Sequence, residues 1–247
     1  MEWTRVGWIP AVGLTVMLAG VDAKTAAAEE LGAPVVDNAV HTFVLADRLE
    51  YRWNAGEDRL LWDVQGWIGR DYQKLWIKTE GETLRRGPMG VAEIQVLYSR
   101  AIAEFWDLQA GWRYDPRPSP SRNFLVVGAQ GLAPYWFDVD ATAFISDHGD
   151  LSARLEAKYD LLLTQRLIAQ PRVETNLAAQ RVDELGIGRG VNTIEIGLRL
   201  RYEVRREFAP YVGVSVTRVL GETANLARGR GADADVSSVV AGIRAWF

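Results

Sequence analysis

Three features predict an all-β fold, a closed antiparallel transmembrane β-barrel of about twelve strands in up-and-down order. Long runs of residues alternate between apolar and polar, the connections between them alternate between tight and longer, and the chain stops on an aromatic residue at the end of such a run. Alternation of period two puts successive side chains on opposite faces, which only a strand does. The runs are about ten residues or longer, against about 5–6 for a strand of an ordinary globular domain and about 9–11 for a tilted strand crossing hydrocarbon.

Taken in order, residues 1–28 read as a signal peptide. After Arg5 the stretch 6–21 is apolar but interrupted by Pro10 and several glycines, and Ala26, Ala27 and Ala28 are small residues of the kind that precede cleavage. The competing reading is a buried helix of the mature fold. Residues 29–41 then form a short periplasmic segment, and 42–247 the barrel.

The strands are expected at 42–53, 59–70, 73–81, 91–103, 107–115, 122–132, 135–146, 150–163, 166–180, 192–205, 209–220 and 236–247. The clearest is 192–205, where Ile194, Ile196, Leu198, Leu200, Tyr202 and Val204 alternate with Glu195, Gly197, Arg199, Arg201 and Glu203. An even number returns the chain to its starting side. Odd strands precede the longer connections 54–58, 82–90, 116–121, 181–191 and 221–235, and even strands precede the tight ones; only 147–149 breaks the pattern. Barrels of this kind have short periplasmic turns and longer outer loops. Tyr72, Phe105, Trp106, Tyr135, Trp136, Phe208, Tyr211, Trp246 and Phe247 gather at or beside the tight turns, as a girdle at headgroup level would. A soluble barrel or sandwich whose aromatics fill a core explains the alternation equally well, but not the charged faces on such long strands or this clustering. The closing strand carries Val239, Ala241, Ile243, Ala245 and Phe247 on one face, and its terminal Phe resembles the recognition signal of outer-membrane barrel assembly.

Charge and composition narrow the chemistry. With 28 Lys and Arg against 32 Asp and Glu, a net charge of −4, the chain has no basic excess for a nucleic-acid partner. No helical run of about 20 apolar residues exists to span a bilayer. Cysteine is absent, which removes thiol catalysis, thiolate metal sites and disulfides. The two histidines, His41 and His148, fall on opposite sides of the membrane in this strand order, so neither a hydrolase triad nor an imidazole cluster forms and no enzyme is expected. If the apolar sets face lipid, the lumen receives Arg48, Glu50, Arg52, Asp63, Glu80, Glu93, Arg113, Asp138, Arg154, Glu156, Arg172, Glu174, Glu195, Arg199 and Glu203 among others. Interspersed signs point to a salt-bridged, largely closed interior, the alternative being a lumen whose charges also guide an ion.

Several motifs then resemble the copper resistance protein B family: LWDVQGW at 61–67, KLWIKTEGE at 74–82, QVLYSR at 95–100, QGLAPYWF at 130–137, LLLTQR at 161–166, GLRLRYE at 197–203, REFAPYVG at 206–213 and GIRAWF at 242–247. The likeness spans roughly 45–247. It implies an outer-membrane barrel of bacterial copper homeostasis that binds copper or assists its removal, with outer-membrane lipid, copper ions and periplasmic copper-handling proteins as partners. A small nonspecific porin is the alternative, and a lipid-modifying barrel enzyme a more remote one. Many members carry a Met- and His-rich segment ahead of the barrel, yet 29–41 holds no Met and one His. The metal candidates left are Met89 and His148 in outer connections, and the lumen carboxylates Asp63, Glu80, Glu93 and Asp138 as weak Cu(II) ligands.

Overall fold

Alternation becomes pairing in the computed structural model, which describes residues 39–54, 56–85 and 89–247. The expected leader 1–28 and residues 29–38 of the segment after it lie outside the described residues. The strands are β1 (His41–Asn54), β2 (Arg59–Gly69), β3 (Gln73–Leu84), β4 (Met89–Ala103), β5 (Trp106–Arg117), β6 (Arg122–Ala133), β7 (Phe137–Ser146), β8 (Leu151–Lys158), β9 (Leu161–Leu162), β10 (Leu167–Ala178), β11 (Gly190–Tyr202), β12 (Phe208–Val219) and β13 (Asp235–Trp246). All pairings are antiparallel, and β13 returns to β1 to close the sheet. Strands β8 and β9 share one stave, so the barrel has twelve.

That split has a local cause. Both β8 and β9 pair with β10 in one register, Lys158 opposite Arg172 and Leu162 opposite Ile168. Between these pairs sits Pro171, which has no N–H to give the neighbouring strand. Its carbonyl still accepts from the Tyr159 amide at 3.1 Å.

The seam is fully bonded at the chain's end. Leu45 faces Trp246 and Asn54 faces Ser238 across it, and beyond Trp246 the Val44 amide donates to the Phe247 carbonyl at 3.0 Å while the Phe247 amide donates back at 2.9 Å. Hydrocarbon supplies no partner for a free strand edge, and closure removes the edge.

The two faces sort as expected for most strands. On β11, Ile196, Leu198 and Leu200 are exposed on the outside while Arg199 and Arg201 are buried within. Strand β1 departs from strict alternation. Its register shifts between Ala46 and the residues that follow, against both neighbours, and Asp47 and Arg48 are consecutive yet both buried. Phe43, Leu45 and Asp47 therefore point inward before this bulge, and Arg48, Glu50 and Arg52 after it.

Four expectations need correction. The connection placed at 82–90 shrinks because β3 and β4 keep pairing to Thr83 and Met89 around a bulge. The segment 221–235 is not a plain loop: it carries α1 (Gly221–Gly229), joined to the other long connection by the Gly188 amide donating to Thr223 Oγ1 at 2.8 Å. The start expected for β7 at 135 is a 3-10 turn over Pro134–Trp136, where Tyr135 and Trp136 both take φ 67 and hold their rings out to the surface. The lumen, finally, is not uniformly polar, because Trp76, Leu97, Val126 and Phe144 form a buried cluster on the β3–β7 wall. Connections of any length gather at one end, the loop end, chiefly through 179–189 and 220–234; the other is the turn end.

Leu198→Arg puts a charge on the outer face near the middle of β11 and is expected to cost about 2–4 kcal/mol in urea titrations of barrel refolded into bilayers. A harmless L198R would mean that this face of β11 does not meet hydrocarbon.

Candidate functional site

Inside the barrel the polar faces meet, and their charges form one connected web of ten carboxylates and eight cations. Arg48 lies 3.1 Å from Asp63 and 2.7 Å from Glu80. Arg154 bridges Glu80 at 3.0 Å and Glu93 at 2.9 Å, and Arg113 reaches Glu93 at 2.8 Å. Arg172 joins Glu156 at 2.8 Å, Glu174 and, at 3.5 Å, Glu195. Arg52 grips Glu195 with both terminal nitrogens and also Glu50, which takes two further bonds from Arg199. Toward the turn end Asp47 is shared by Lys158 at 3.2 Å and Arg244 at 2.8 Å.

Burial makes this web obligatory. Glu50 is 0% exposed, and taking an ion out of water costs several kcal/mol unless partners and hydrogen bonds replace the water. The Tyr211 hydroxyl gives Glu50 one more bond at 3.2 Å, so Tyr211 belongs to the lumen and not to the girdle. Gly242 makes room for it, since a Cβ there would sit 2.6 Å from the Tyr211 oxygen. Glu203 is likewise misplaced by strict alternation: it lies past the end of β11, at the rim. Trp246 also turns in, its ring 6.0 Å from Phe43, whereas Tyr72, Phe105, Tyr135, Trp136, Phe208 and Phe247 stay exposed.

The web does not fill the whole lumen. A vestibule of about 900 Å³ opens at the turn end, and nine carboxylates but five cationic side chains line it. Its aromatic wall carries cations: Lys78 Nζ stands 5.6 Å from the Trp76 ring centre, and the Arg154 guanidinium 5.8 Å from that of Phe144. Toward the loop end the interior is packed with buried Arg52, Arg199, Glu50 and Val240.

The structure brings together one of the two predicted ligand sets. Asp63, Glu80, Glu93 and Asp138 all line the vestibule. The first three are committed to arginines; Asp138 is the open one, 49% exposed and 3.5 Å from Lys158. His148 lies at the other end, in the β7–β8 turn, with Nδ1 2.8 Å from Asp147. Hydrogen bonds from Asn123 and then His148 hold the Asp147 carboxyl below the usual carboxylate range. Met89 opens β4, and its side chain lies outside the described residues. His41 starts β1 at the turn end, opposite Gly69. Among the described residues, no three His, Asp or Glu side chains converge as a metal-holding group.

One participant escaped sequence reasoning. Asp47 did so because the bulge reverses the inward parity, though two adjacent charges, Asp47 and Arg48, in an alternating run were its visible signal. Asp107 closes the vestibule by pairing with Lys74 at 3.4 Å across β4.

Replacing Arg172 by Leu strands Glu156 and Glu174 and is expected to destabilise the barrel by about 3–5 kcal/mol. The exposed pair of Arg218 and Asp235 is the control, since R218L should cost less than about 1 kcal/mol. Urea midpoints of the two refolded variants that coincide would show the web to be dispensable.

The family model described as "Copper resistance protein B precursor" matches residues 40–247. The chain is 42% identical over 226 residues to "Copper resistance protein B" of Escherichia coli, covering 92% of this chain and 76% of that one. It is 44% identical over 216 residues to "Copper resistance protein B homolog" of Pseudomonas syringae pv. tomato, covering 87% and 73%. Among solved structures it is similar to the NanC porin, with a TM-score of 0.55 at 12% identity over 83% of this chain and 99% of that one, a likeness of fold alone.

Proposed function

The chain belongs to the copper resistance protein B family and is an outer-membrane barrel, and from that premise we propose that it limits copper in the bacterial envelope by holding Cu(II) weakly in the acid-rich vestibule. The observation that carries this reading is the vestibule itself, where carboxylates outnumber cations and Asp138 faces open space. Cu(II) accepts oxygen and nitrogen donors, so such a surface attracts and orients the ion without a tight site. To bind at Glu80 or Glu93 it must displace an arginine, which keeps the ion exchangeable. Copper is cargo here, received from or passed to periplasmic copper-handling proteins, and the role is not catalytic.

The proposal sets the turn end in the periplasm, after removal of residues 1–28 on export. Protease added to intact cells should then cut within 179–189 or 220–234. Cleavage confined to 163–166 would reverse the orientation.

A nonspecific porin is disfavoured by the packed charges of the loop-end half, where Glu50, Arg52 and Arg199 are buried. An enzyme is disfavoured by the placement of His41 and His148 at opposite ends.

The test is copper tolerance of a deletion strain, with copper retained by the purified barrel at equilibrium dialysis against a fixed free Cu(II) concentration as a second readout. Asp138→Asn combined with Asp63→Asn and Glu93→Gln should lower both, provided the heat-modifiable folded band persists; D138N alone, which disturbs no buried pair, should lower retention in part. Met89→Leu/His148→Ala should leave both unchanged. Loss with the Met and His pair but not with the carboxylates would move the site to the loop end.

A further inference from the structure

One cluster at the turn end is used neither by the lumen web nor by the proposed copper site. The β9–β10 turn at 163–166 and the β11–β12 turn at 203–207 lie side by side, tied by the Glu203 amide donating to the Arg166 carbonyl at 2.8 Å. A cleft of about 610 Å³ runs between them, lined by Arg166, Arg205, Arg206, Gln165 and Glu203 with Leu162 and Val204. Three guanidiniums against one carboxylate leave it cationic. Among the described residues none of the three has an acidic partner, whereas Arg85, Arg181 and Arg218 at the loop end pair with Asp58, Asp183 and Asp235.

The surroundings identify what would neutralise it. Val204 lines the cleft and is exposed, and Leu161, Leu163 and Tyr202, next to the lining residues in sequence, are exposed too, with Phe208 opening the next strand. Cationic groups at the rim of a spanning barrel stand at headgroup depth, and apolar groups just beyond them stand at the depth of the acyl chains. We propose that this cleft binds an anionic phospholipid, its phosphate held by Arg166, Arg205 and Arg206 and one acyl chain lying along Leu161, Leu163 and Val204. Arginine suits the phosphate because its planar fork donates two parallel hydrogen bonds to an oxyanion. A docked acidic protein would use the arginines but leave the leucines without a role, so a lipid fits both halves of the surface.

Native mass spectrometry of the purified barrel in non-ionic detergent tests this, with phosphatidylglycerol, phosphatidylcholine and inorganic phosphate as probes. Phosphatidylglycerol should be retained in preference to phosphatidylcholine, and R166A/R205A/R206A should weaken its retention by at least about tenfold, since each basic residue at a membrane surface contributes on the order of 1 kcal/mol. The substitutions are on exposed turn residues; should the triple variant fail to give a heat-modifiable band, R205A/R206A serves with the same expectation in smaller measure. Leu161→Ser/Leu163→Ser should also weaken retention, which a phosphate-only site would not require. Equal retention of both lipids by the parent, unchanged retention in the arginine variants, or displacement of phosphatidylglycerol by equimolar inorganic phosphate would overturn the proposal. So would a loss of copper tolerance in the arginine variants with lipid retention intact, which would assign the cluster to a protein partner.

Discussion

A strand in hydrocarbon has no water to satisfy its N–H and C=O groups, and the rest of this structure depends on that constraint. The sheet must close, so β13 must find β1 and the terminal residue must lie in bonding distance of Val44. Closure then creates an inside. With twelve staves the inside is narrow enough that side chains from opposite walls meet, and whatever the strands carry on their polar faces must be compatible at close range. Glu50 and Arg199, 149 positions apart in sequence, are joined at 2.7 Å for this reason.

The web that results is best understood as mutual desolvation. No lumen charge is favourable by itself; each is tolerated because at least one of the opposite sign, and for most of them two or three, lies beside it, and several guanidiniums serve carboxylates on different strands. The web therefore couples staves that share no backbone bond. It also divides the lumen, because the bulge that turns Asp47 inward adds a carboxylate beside Lys158 and Arg244 while the neighbouring wall is aromatic. Cations rest on Trp76 and Phe144, and the space those rings do not fill is the vestibule.

This arrangement bears on how the fold and the chemistry relate. The NanC porin shares the barrel at 12% identity, too little to carry a lumen across, so a common shape says nothing of what passes or stays inside. Family membership rests instead on identity above 40% through the strands that build the web. For the proposed holding of Cu(II), the consequence is that affinity is set by competition: a carboxylate already paired with arginine yields to the ion only partly.

Alternation and strand length, both local properties, determined by themselves the class of fold, the number of staves, the lipid-facing set and the inward placement of Asp63, Glu80, Glu93 and Asp138, all of which line one cavity. Periodicity carries that much because side-chain direction in a strand depends only on the neighbours in sequence. It failed where a non-local or irregular event intervened. The bulge at Asp47 and Arg48 reversed parity, Pro171 broke a stave, and Tyr211 and Trp246 left the girdle for the lumen because partners on other strands, Glu50 and Phe43, awaited them. Which arginine holds which carboxylate, and hence which half of the lumen is packed and which is open, was decided only by tertiary structure. Ion pairing across a barrel depends on the stagger of distant strands, and no residue's near neighbours in sequence record that stagger.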